Sequence, residues 1–171
     1  MKKSKCPYTT LKNRIMGYLK YIIRKPRPEY GHMSVCPFVG LELDRDKLMI
    51  DVFDPNVETF IERVEAFHKS KYNSALFALV NSPDLAAEET RPYQSFLNKL
   101  LRQNGYLQYK AICFNFNDEV TEIDGFNPRS FAPAFLINIA DREELNKAHT
   151  AILRTKFFDK MSDAYKKFLK V

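Results

Sequence analysis

The stretch "SALFALV", residues 74–80, decides the fold. After Ser74 every position is apolar, with no polar residue on alternate positions, so neither face of the segment suits water. A short run of this kind is a strand buried on both sides of a sheet. The neighbouring segments supply what covers it. Upstream, "KLMIDVFD" (47–54) reads as a strand ended by Pro55, and residues 56–70 read as a helix with Val57, Phe60, Ile61, Val64 and Phe67 on one face. Downstream, a helix over 88–104 carries Tyr93, Phe96, Leu97, Leu100 and Leu101, with Thr90 as its N-cap, Pro92 in its first turn and "NG" (104–105) at its end.

Further along, "YKAICFNFN" (109–117) alternates as a strand does, and "APAFLINI" (132–139) is a fourth strand behind a polar loop. Asp141 and Glu144 form an acidic analogue of the capping box that starts another helix, and a basic helix is expected over about 155–170. Before the body, "TTLKNRIMGYLKYIIR" (9–24) places Leu11, Ile15, Tyr18, Leu19 and Ile22 at helical spacing, with Lys12, Lys20 and Arg24 elsewhere. The fold class is therefore α+β: one domain with a mixed sheet of about four strands, helices packed against it, and helical N- and C-terminal extensions. Its parts are a basic amphipathic helix within 1–27, an α/β body over 32–140 and C-terminal helices over 141–171.

The 171-residue chain is 45% hydrophobic and 28% charged, an ordinary globular composition that excludes a disordered chain. Its net charge of +6 is unevenly placed. Residues 1–31 hold nine Lys/Arg against one Glu, and residues 151–171 hold six against two Asp, whereas the middle holds twelve against eighteen. A nucleic-acid-binding core would normally show the opposite distribution. Three well-separated cysteines, Cys6, Cys36 and Cys113, make no disulfide framework and point to a reducing, cytoplasmic setting. No apolar run reaches the roughly 18 residues of a spanning helix, and "MKKSK" leads into a polar stretch, so neither a membrane span nor a signal peptide is expected.

Phosphate-loop, G-x-S-x-G, HExxH and paired-cysteine zinc motifs are absent. The unusual phrase is "YGHMSVCPFVG" (30–40). His32 and Cys36 are four apart, a spacing that brings two metal ligands together on a helix. Pro37 disfavours helical geometry at Cys36, and an extended segment would separate the two by roughly 13 Å. A single axial ligand to haem iron is geometrically easier, and a buried structural thiol is the plainer alternative. In "NPRSFAP" (127–133), Arg129 is placed to meet a carboxylate or a haem propionate, or else to sit in a solvated loop. Asp51, Asp54 and Glu58 would receive a cationic amine or guanidine, and a helix-start carboxylate cluster explains Asp54 and Glu58 equally well.

In order and spacing, "SVCPFVG", "KLMIDVFD", "SALFALVNSP", "PYQSFLNKLL", "AICFNFNDE" and "NPRSFAP" together resemble the YqcI/YcgG family of haem-dependent arginine N-hydroxylases and their relatives with a "VCPF"-like element. The similarity covers roughly residues 32–140. Two departures stand out: Cys36-Pro37 replaces the family's Pro-Cys, and the chain has no tryptophan. The resemblance implies haem as cofactor, with Cys36 and His32 matching the family's turn and Arg129-Ser130 its later loop; Cys36 or His32 is then the axial iron ligand, Arg129 the propionate anchor, and Ser130, with Asp51 or Asp54 from the acidic group, lies toward substrate. The expected function is then oxidative chemistry on a small nitrogenous molecule such as an amino acid, served by a redox partner. The alternative is a non-enzymatic protein whose basic terminal helices engage an anionic partner, a lipid surface or nucleic acid.

Overall fold

The computed structural model describes residues 7–30, 32, 34–80, 85–117 and 124–153. Four strands, β1 (Leu48–Phe53), β2 (Ser74–Leu79), β3 (Tyr109–Phe114) and β4 (Leu136–Asp141), form one mixed sheet in the order β1-β2-β4-β3. β1 and β2 are parallel, while β4 lies antiparallel between β2 and β3. The carboxyl ends of β1, β2 and β3 and the start of β4 therefore share one end of the sheet. As the sequence requires, every residue of β2 is buried.

The pleat divides the core in two. Ala75, Phe77 and Leu79 of β2, with Ile137 and Ile139 of β4 and Ala111 and Cys113 of β3, face two helices, α3 (Phe60–His68) and α4 (Thr90–Gln103). Leu76 and Ala78, with Leu48 and Leu136, face α1 (Pro7–Tyr18) and its continuation, a π-helical turn over Leu19–Ile23. Leu11, Ile15, Leu19 and Ile22 all take part in this contact, so the expected apolar stripe of the N-terminal helix docks on the body. Lys12 and Arg24 lie outside the stripe and pair with Asp51 and Asp44, tying the basic arm to the acidic body. Two helices complete this layer: α2 (Pro37–Asp44), which begins just after Cys36, and α5 (Arg142–Leu153), which covers Ile112 and Ala140 through Leu145.

Several boundaries differ from expectation for local reasons. The helix expected at 56 begins at Phe60, because Asp54 holds a turn: its carboxylate accepts from the Asn56 N–H and its carbonyl from the Val57 and Glu58 N–H groups. Val57 thus lies before the helix and is exposed. Thr59 and Glu62 then close a reciprocal capping box. Thr90 is not the N-cap of α4; a short 3₁₀ turn, Ala87–Glu89, precedes it and Thr90 is buried inside the first turn. The Asp141 carboxylate does cap α5, accepting from the N–H groups of Glu143 and Glu144, while the Glu144 side chain turns to Lys147. The helix expected over about 155–170 lies outside the described residues.

β3 is an edge strand, and its outer backbone is satisfied by side chains of α4. The Asn98 carboxamide accepts from the Ala111 N–H at 3.0 Å and donates to the Ala111 carbonyl at 2.8 Å, and Gln94 accepts from the Cys113 N–H at 2.8 Å. A helix thus stands in for the missing neighbour strand and blunts an edge that would otherwise template pairing.

Candidate functional site

In sheets of this kind, ligands bind outside the carboxyl ends of the parallel strands. Here that end is assembled from the phrases "VCPF", "CFNFN" and "NPRSF". Asn127 starts a 3₁₀ turn, Pro128–Phe131, by accepting the Arg129 N–H at 3.0 Å, with Pro128 in its first position. The turn sends Arg129 inward: its side chain is buried, and its guanidinium lies 5.2 Å from the centre of the Phe114 ring at the end of β3. Its charge reaches the phenol of Tyr18 on α1 and the thiol of Cys113. Burial drives the Tyr18 phenol well above its usual range, with Arg129 opposing the rise and Cys36 adding to it. Burial likewise pushes the Cys113 thiol up to about 12, against the pull of Arg129. Cys113 is therefore a protonated, inert core thiol at neutral pH.

Cys36 is the N-cap of α2. Its backbone is extended, as expected for a residue before proline, and Pro37 occupies the first helical position. The side chain is half-buried against the cluster around Ile15, Leu19 and Val39, close enough to Tyr18 to act on its ionisation. The fold thus gathers Cys36, Tyr18, Arg129 and Phe114 from four separate segments.

The other expected site residues are placed differently. His32 is exposed and takes a left-handed conformation, φ 63°, with its N–H donating to the Arg27 carbonyl. It does not share a helix with Cys36. Asp51 lies within β1, where Lys12 and Arg63 pair with its two carboxylate oxygens at 2.6 and 2.7 Å. Asp54 forms the turn already described. Ser130 is exposed on the opposite side of the 3₁₀ turn from Arg129 and donates to the Asn127 carbonyl. Among the described residues, no group of three or more His, Cys, Asp or Glu side chains is placed to hold a metal ion. Two described cavities, each about 450 Å³, open near this end of the sheet, and neither is lined by Cys36 or His32.

Asn115 belongs to this end and escapes a reading of the sequence. It is buried, its amide donates to the Leu85 carbonyl and to Thr90 Oγ1, and its carbonyl oxygen accepts from the Asn117 N–H. One side chain thereby ties the exit of β3 to the start of α4. The available signal was an asparagine closing an apolar strand just before a polar loop. Among the described residues no helix is long and apolar enough to cross a membrane. Comparison with family models, with curated proteins and with solved structures gives no match.

Proposed function

We propose that the carboxyl end of the sheet is the working end of a small-molecule enzyme, in which Arg129 receives an anionic group and Cys36 is the reactive residue. The observation that carries this reading is the buried guanidinium of Arg129, whose charge acts on the Tyr18 phenol, as Cys36 also does, from a distant part of the chain. An arginine at the end of the sheet where ligands bind suits recognition of an anion. Its planar fork suits a carboxylate, which fits an amino-acid-like substrate. Tyr18 stays protonated and can donate a hydrogen bond from beside Cys36. Cys36 and Cys113 form no disulfide among the described residues, which fits a reducing compartment.

The haem chemistry implied by the family resemblance uses the same two residues. Cys36 would hold the iron and Arg129 a propionate; haem would supply oxygen or peroxide activation. His32, exposed in its turn, suits an axial role less well than the half-buried thiol. The anionic-partner alternative draws less support, since Lys12 and Arg24 of the basic arm are already paired with the body.

Hemin titration of the wild-type protein, Cys36→Ala and Arg129→Lys, together with carboxylate binding by calorimetry, tests the proposal. A far-red-shifted ferrous–CO Soret band lost in Cys36→Ala supports the haem form. Hemin-independent binding of an amino acid that is lost in Arg129→Lys, with alkylation of Cys36 blocked by that ligand, supports the thiol form. Neither hemin uptake nor ligand-protected alkylation in a folded protein would overturn both.

A further inference from the structure

The outer side of the Asn127–Phe131 turn carries a second arrangement, back to back with Arg129. Phe126 and Phe131 are stacked, with centroids 5.8 Å apart and planes 25° from parallel. The Arg27 guanidinium lies 4.6 Å from the centre of the Phe126 ring, and Tyr30 meets Phe126 edge-on. These contacts hold Phe126 in place. Phe131 nonetheless remains 54% exposed and Phe116, across the same cavity, 40% exposed. The cavity has a volume of about 450 Å³, and its remaining walls are polar: Asn117, Asn127, Ser130 and the backbone at Gly125.

We propose that this cavity is a binding site for a flat heteroaromatic ring of nucleobase size. Two kinds of wall decide the ligand class. Open phenyl surface on a braced ring stack favours a second flat ring through offset stacking, which an aliphatic group does not gain. A carboxamide and a hydroxyl at the margin offer a donor and acceptors to a ring edge bearing nitrogen and oxygen, which a pure hydrocarbon would leave unpaired. The Asn117 carboxamide is exposed and available for this role. The same chemistry would serve a free nucleoside or nucleotide or a base of a nucleic acid; a pocket of this size, built on one turn and one strand end of an acidic body, fits the free molecule.

Saturation-transfer NMR with adenosine, uridine, cyclohexanol and a single-stranded oligoadenylate tests this on the full chain. Transfer to the base protons of adenosine in preference to its ribose is expected, with none to cyclohexanol. Phe131→Leu keeps an apolar side chain at an exposed position but removes the ring face, and should weaken adenosine binding about tenfold. Asn117→Ala should reduce the preference between adenosine and uridine while the melting temperature stays unchanged. Arg129→Lys should leave ring binding intact, which separates this site from the proposed enzymatic one. Equal transfer to cyclohexanol, binding of the oligonucleotide alone, no transfer from either nucleoside, or unchanged affinity in a folded Phe131→Leu would each overturn the proposal.

Discussion

Glu42 shows what single side chains contribute beyond packing. It is buried beneath α2, and one carboxylate oxygen has no hydrogen-bond partner among the described residues. Burial raises its pKa, opposed by Arg45, Lys47 and a hydrogen bond from Asn73, and reinforced by Glu144 on α5. The folded state therefore keeps this proton at pH values where the unfolded chain has released it. The resulting stability is fully present at low pH and is lost as pH rises from the ordinary glutamate range through the raised value. Glu42→Gln should flatten that slope and stabilise the protein at neutral pH. Urea denaturation from about pH 4 to pH 8 checks it, since an ordinary glutamate titrates near the lower limit. Asn115 is the counterpart, a buried amide whose bonds are made. Asn115→Ala should cost about 1–3 kcal/mol, because the Leu85 carbonyl and Thr90 hydroxyl lose its amide. Chemical denaturation measures the loss.

At the scale of elements, two devices carry consequences. The Thr59–Glu62 box starts α3 and, with the Asp54 turn, fixes where the helix can begin. Thr59→Ala should lower stability by about 1 kcal/mol, seen as a shifted denaturation midpoint without a changed slope. The Asn98 and Gln94 side chains have a different task. They satisfy the outer backbone of β3, so replacing both with alanine leaves an open strand edge. The double variant should lose stability and also associate, giving a concentration-dependent light-scattering signal absent from the wild type. A melting temperature that falls without association would show that Asn98 and Gln94 act only as hydrogen-bond partners.

Across the whole molecule, the N-terminal arm is part of the core and not an appendage. Ile15, Tyr18, Leu19 and Ile23 are all buried against β1, β2 and β4. Deleting residues 1–27 should strip one face of the sheet, sharply lower the melting temperature and expose surface that binds a hydrophobic dye. The deletion also removes Tyr18 and so dismantles the candidate site. An unchanged melting temperature would show that the arm is dispensable to the fold.

Burial on both faces of β2, the amphipathic stripe of α1 and the helical type of α3, α4 and α5 were legible in the sequence, because hydrophobic spacing reports which faces leave water. The capping box "TFIE" (59–62) was legible too and would have set the start of α3. α2 was not: a short helix opening on Cys36-Pro37 and carrying Gly40 has weak local signals, and packing against the Leu19–Ile23 turn, β1 and α5 stabilises it. Of the site, Cys36 and Arg129 could be singled out by residue type and phrase. Their meeting around Tyr18 could not, nor could the burial of Asn115 against Thr90, because these contacts join segments 18 to about 110 residues apart. The sequence by itself determined which surfaces must be buried. Only the tertiary structure decided which polar groups share a neighbourhood, since residue type sets what a side chain can do and the strand order β1-β2-β4-β3 sets what it meets.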